Sequence, residues 1–155
     1  MRKFWWTFAL ASAAVGTPTM SQAVTNGVIQ VTSFAEREVV EVKANGQREI
    51  KRERVRRVTP NTEVIFTTRF QNTDSKPVGN IVINNPIPDS TAYWPGSAFG
   101  NNTEISASSD KGQTFLPVGN LSSTADKPYT HIRWNFKGQL RPGEAAEVGF
   151  RALVK

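Results

Sequence analysis

The chain of 155 residues contains no cysteine and a single histidine, His131. The first absence excludes disulfides, thiolate metal sites and a thiol nucleophile. The second excludes metal sites built on two or more histidines and leaves one candidate base for a histidine-dependent triad. Long apolar runs are missing as well. The longest mostly apolar stretch, Phe4 to Val15, has about twelve residues, against the roughly 20 that span a bilayer as a helix. Neither type of glycine-rich phosphate loop is present. No segment after residue 24 repeats apolar residues at helical spacing. Acidic residues are the minority, 13 against 19 basic ones, for a net charge of +6.

What is present begins with an address. Arg2 and Lys3 precede the apolar stretch, Pro18 interrupts any helical continuation of it, and Ser21-Gln22-Ala23 offers small residues where a signal peptidase cuts. Residues 1–23 are expected to be a signal peptide cleaved after Ala23. The product is then exported to the periplasm, cell surface or medium, with no integral membrane segment remaining. No cysteine stands at the cleavage site to carry a lipid.

The remainder alternates with period two, which predicts strands with one buried and one wet face. Val64, Phe66, Thr68 and Phe70 point one way; Ile132, Trp134 and Phe136 do the same, as do Ala146, Val148, Phe150, Ala152 and Val154. Turn residues fall between these runs, at Thr59-Pro60-Asn61, Asn72 to Pro77, Asn84 to Asp89, Pro95-Gly96, Asn101-Asn102 and Arg141-Pro142-Gly143. The expected fold is all-β, an antiparallel sandwich.

Residues 36 to 57 form a charged ribbon around Asn45-Gly46, a strong hairpin signal. A three-residue loop with Gly46 in the left-handed position pairs Glu38 with Arg52, Arg37 with Glu53 and Glu36 with Arg54; a register shifted by two also pairs opposite charges well, and the glycine favours the first. Its one like-charge pair is Glu41 with Glu49. The six basic residues Arg48, Lys51, Arg52, Arg54, Arg56 and Arg57 are a candidate contact for an anionic polymer. Interleaved glutamates favour the plainer reading, a solvated ribbon whose charges pair and guard its edge. Specific nucleic-acid recognition is not expected, because the run has no interleaved aromatics and no recognition helix.

Ser108, Asp110, Gly112, Thr114 and Phe115 match the Asp-box turn, in which an aspartate accepts hydrogen bonds from its own turn and an aromatic packs beneath. A single copy predicts a structural turn and no propeller. Tyr93-Trp94-Pro95-Gly96 and Phe99 suggest either a stacking platform or, preferably, a buried Trp94 followed by a turn.

The ordered features Val58 to Phe66, Phe70-Gln71-Asn72-Thr73, Val78 to Pro88 and Leu140-Arg141-Pro142-Gly143-Glu144 carry a resemblance. Over about residues 55 to 154 the chain resembles the bacterial domain of unknown function number eleven, a conserved repeat domain of secreted and surface proteins. Asn61 replaces the usual glycine after Pro60. The resemblance implies an immunoglobulin-like β-sandwich with no catalytic residues, in a family usually found as modules of envelope proteins. It leaves residues 24–57 as an N-terminal strand and charged ribbon on or extending a sandwich of residues 58–155.

No enzyme is expected, and no cofactor or metal. His131 alternates with core residues and belongs on the outer face. Asp89, Asp110 and Glu104 sit in turn-rich contexts, and Asp74, Asp89, Asn84 and Asn85 lack the spacing of a calcium loop. The expected role is structural or interactive in the cell envelope or matrix, with a protein partner (a second copy or an envelope protein). Assembly would proceed by strand donation from Val28, Ile29, Val31 and Phe34, unless that segment is the first strand of its own sheet. The other reading is a binding module for an anionic surface polymer (polysaccharide, lipopolysaccharide or extracellular DNA) through the ribbon.

Overall fold

The computed structural model describes residues 2–5, 23–26, 28–55, 57–118 and 128–155. Among them the secondary structure is strand throughout, in two packed sheets. The first sheet orders β1 (Arg2–Trp5), β7 (Ile81–Pro86), β12 (His131–Phe136), β10 (Thr103–Ser108) and β11 (Leu116–Pro117). The second orders β2 (Ala23–Asn26), β3 (Ile29–Val42), β5 (Glu63–Asn72), β14 (Ala145–Val154) and β8 (Thr91–Tyr93), with β4 (Arg48–Arg54) on β3 and β9 (Phe99–Gly100) on β14. A two-strand bridge joins β6 (Val78–Gly79) to β13 (Gln139–Leu140). Every pairing is antiparallel except that of β1 with β7. The fold is an all-β sandwich.

Alternation sets the core face as the sequence predicts, but the opposite face of β5 is not wet throughout: Ile65 and Thr67 are buried there as well. Val64, Phe66 and Phe70 of β5 and Val148, Phe150, Ala152 and Val154 of β14 meet Ile81 and Ile83 of β7 and Ile132 and Trp134 of β12 in one core. Phe66, Trp134 and Tyr93 all pack on the Phe150 ring, at centroid distances of 5.3, 6.4 and 5.9 Å. Removing each such side chain from water contributes about 1.5–3 kcal/mol. One polar cluster interrupts the core: Thr68 Oγ1 lies 2.9 Å from Ser33 Oγ and accepts from Asn85 Nδ2 at 2.7 Å. Its hydroxyl and amide partners make burial of these groups tolerable.

The turns around Asn72, Lys76 and Leu140 to Glu144 meet in space. Buried Asn72, at the end of β5, donates through Nδ2 to Lys76 O and Leu140 O and accepts through Oδ1 from the Asp74 amide. Its backbone N–H donates to Glu144 O, and its carbonyl accepts from Gly143 N–H. Asn61 takes φ 65°, the left-handed conformation that asparagine tolerates better than most non-glycine residues.

Two expectations are corrected. The segment Val28, Ile29, Val31 and Phe34 is not free to donate. Ile29 to Phe34 is the first half of β3, paired with β5 from Ile29↔Asn72 to Glu36↔Ile65, and Ile29 and Val31 are core residues. The sandwich therefore includes this strand, and only the stretch beyond Glu36 leaves it. Trp94 is also not core: Tyr93 turns inward against Ala152, so alternation sends Trp94 out, where it is 55% exposed. The expected cleavage after Ala23 falls against a stretch, residues 6–22, that lies outside the described residues.

Candidate interaction ribbon

The ribbon has the register that its charges and Gly46 together predict. Glu36 faces Arg54, Arg37 faces Glu53 and Glu38 faces Arg52, and Gly46 turns the loop at φ 80°. The Lys43 amide donates to Gln47 O at 2.8 Å, closing the three-residue loop. The unfavourable Glu41↔Glu49 pair is relieved diagonally, because Lys51 binds Glu41 while Lys43 holds Glu49 at 2.8 Å. The Glu41 contact pushes the Lys51 pKa up.

The two faces differ in character. Arg37, Glu41, Lys43, Glu49, Lys51 and Glu53 form a ladder of exposed ion pairs on one side. Such pairs contribute little stability individually but keep the strand edges from sticking. The other side carries Glu36, Glu38, Arg52 and Arg54 near the sandwich and an apolar trio further out. Val40 lies directly opposite Ile50, with Val42 beside them, and these are 62%, 67% and 62% exposed. The sequence marks these three only as strand formers. Their exposure follows from the ribbon's projection beyond β5, whose pairing with β3 ends at Glu36.

The base of the ribbon is fastened to the outer face of the second sheet. Arg151 of β14 binds Glu38 (Nη2 to Oε1, 2.6 Å) and Glu63 (Nη1 to Oε1, 2.5 Å). These bonds raise the Arg151 pKa and lower that of Glu38. Arg54 lies over the Phe34 ring at 4.3 Å and Arg52 over Phe99 at 5.2 Å, cation–π contacts that also bury the arginine stems. Phe99 comes this close because position 149 is glycine. A Cβ there would stand 2.5 Å from both Phe66 O and the Phe99 ring.

The six candidate polymer contacts are thereby divided. Arg52 and Arg54 are engaged with rings and carboxylates, Lys51 faces the opposite side, and Arg56 lies outside the described residues. Arg48 and Arg57 remain, both exposed. The acidic residues considered for catalysis do not converge either. Glu104 binds Lys137, Asp89 offers its carbonyl to Lys155, and Asp110 is committed to its own turn. Asn84 and Asn85 are buried on opposite faces of β7. His131 Nδ1 lies 3.1 Å from Thr130 Oγ1, and burial, with repulsion from Arg133, lowers its pKa.

The Asp-box residues form the turn their spacing predicts. Asp110 accepts from Ser108 Oγ, Thr114 Oγ1 and the amides of Gln113 and Thr114. The Phe115 ring packs beneath the Arg133 guanidinium, 3.5 Å from its centroid, and Arg133 Nε donates to Asn84 Oδ1. Hydrogen bonds from Ser108 and then Thr114 hold the Asp110 carboxyl far below the usual carboxylate range. A depressed folded-state pKa contributes stability above the unfolded value of about 4, and that stability is lost as pH falls through the folded one. The Thr114 amide resonance is therefore expected to keep its folded shift at pH 3, and Asp110→Asn to displace it at every pH. A Thr114 shift that titrates near pH 4 would contradict this.

Comparison with protein families, curated proteins and solved structures gives no match to this chain.

Proposed function

We propose that this chain is a secreted, non-catalytic, immunoglobulin-like sandwich of the bacterial envelope or matrix, related to the domain of unknown function number eleven. Its role is structural, and it assembles with copies of itself or with a surface protein. The observation that carries this reading is the projecting ribbon. It is anchored rigidly by Arg151, neutralised along one face and apolar at Val40, Val42 and Ile50 on the other. Exposed apolar groups rimmed by charges are the usual composition of a protein contact. The alternative, an anionic polymer bound through the ribbon, rests on Arg48 and Arg57, since the other arginines described are engaged.

Sedimentation of the processed chain (residues 24–155) at low and high salt tests the choice. A discrete oligomer that survives high salt is the expected result. A monomer at both, together with salt-sensitive heparin retention lost in Arg48→Ser/Arg57→Ser, would replace assembly with polymer binding.

A further inference from the structure

The outer edge of β7 differs from the other sheet edges. β4 is guarded by Arg48, Glu49, Lys51, Arg52, Glu53 and Arg54, while β11, β8 and β2 have only two, three and four residues. Short or charged edges resist pairing with other chains. The β7 strand, Ile81-Val82-Ile83-Asn84-Asn85-Pro86, is six residues long and carries no charge. The N–H of Ile87 donates to Thr130 O, so odd-numbered residues of β7 turn their backbone groups to β12. Val82, Asn84 and Pro86 turn theirs outward. Pro86, which has no N–H, stands where β12 needs no donor, as expected of proline on an edge.

This edge already accepts a strand. The chain's own residues Arg2 to Trp5 add to it in parallel, from Arg2↔Ile81 to Trp5↔Asn84. Those residues belong to the expected leader. Once they are cut away, a regular, uncharged row of N–H and C=O groups is left open. Beside it is the buried Asn84 Nδ2, a donor without a partner among the described residues.

We propose that β7 is the assembly edge of this protein, capped by residues 2–5 before processing and paired afterwards with β7 of a second copy. The inference rests on the self-assembly reading above and names its contact. A strand with no charges has nothing to repel its own copy. Antiparallel pairing about a two-fold axis, with Val82 of each copy opposite Asn84 of the other, satisfies the outward groups of both residues. An isologous contact of this kind closes as a dimer.

The test compares the uncleaved chain, the processed chain 24–155, and the processed chain with Val82→Pro or Val82→Lys, by sedimentation and circular dichroism. The buried core residues described, from Ile29 to Val154, all lie within the processed chain. Val82→Pro removes one outward N–H, and Val82→Lys places a charge on the edge without touching the backbone. The expected result is a monomeric uncleaved chain, a dimeric processed chain, and loss of the dimer in both variants with the β spectrum unchanged. An oligomer that persists in both variants overturns the β7 contact but leaves assembly standing. A processed chain that stays monomeric overturns the β7 contact and self-assembly together.

Discussion

Replacing Trp134 with alanine is expected to destabilise the sandwich by about 3–5 kcal/mol, the usual cost of emptying a large buried aromatic site. Trp134 has no exposed surface, stacks on Phe150 and sits between Ile132 and Phe136 of the central strand of its sheet. Its indole N–H also donates to Phe99 O at 3.0 Å. That bond ties the core to β9, whose Phe99 ring lies under Arg52 of the ribbon. Trp134→Phe separates the two roles: it keeps much of the apolar volume but leaves the Phe99 carbonyl without its donor. The phenylalanine variant should lose about 1–3 kcal/mol, and amide exchange at β9 and the ribbon base should accelerate. Urea denaturation at constant m-value measures both losses. An alanine variant within about 1 kcal/mol of the parent would contradict the packing described.

Asn72→Ala is expected to cost about 2–4 kcal/mol, more than an ordinary hydrogen bond, because one buried partner and two half-buried ones are left unpaired. The carbonyls of Lys76 and Leu140 lose their donor, and the Asp74 amide loses its acceptor. Removing one partner of a buried bond costs the desolvation of the other. These bonds join the turn after β5 to the one before β14, so the loss should appear as local opening of both. Hydrogen exchange at Asp74 and Gly143 and the urea midpoint check this together. Unchanged exchange at Gly143 would show that Asn72 does not hold that turn.

These two side chains mark different degrees of legibility. Trp134 is identified as core by its alternation with His131, Arg133 and Asn135. Asn72 is visible only as a turn residue within a motif, and its partner Leu140 is 68 residues away. Ribbon register is readable because like charges cannot stand opposite one another without relief and because Gly46 takes a conformation that other residues avoid. The use of Arg52 and Arg54 was not readable. Of their rings, Phe99 belongs to the distant strand β9, and Phe34 to the neighbouring strand β3, two residues before the Glu36 that stands opposite Arg54. Trp94 was misread because Tyr93 and Trp94 are equally apolar, and only the pairing of Tyr93 with Ala152 decides which of them faces inward.

By itself, then, the sequence determined the strand content, the face each long strand buries, the hairpin loop and the Asp-box turn. All of these follow from stereochemistry within a few residues of chain. Tertiary structure alone decided that β3 lies against β5, that Asn72 joins two distant turns, that the ribbon's arginines pack on rings, and that the uncharged β7 lies between β12 and residues 2–5. Such choices depend on which distant segments close upon one another, and a strand's periodicity fixes what it buries without specifying its neighbour.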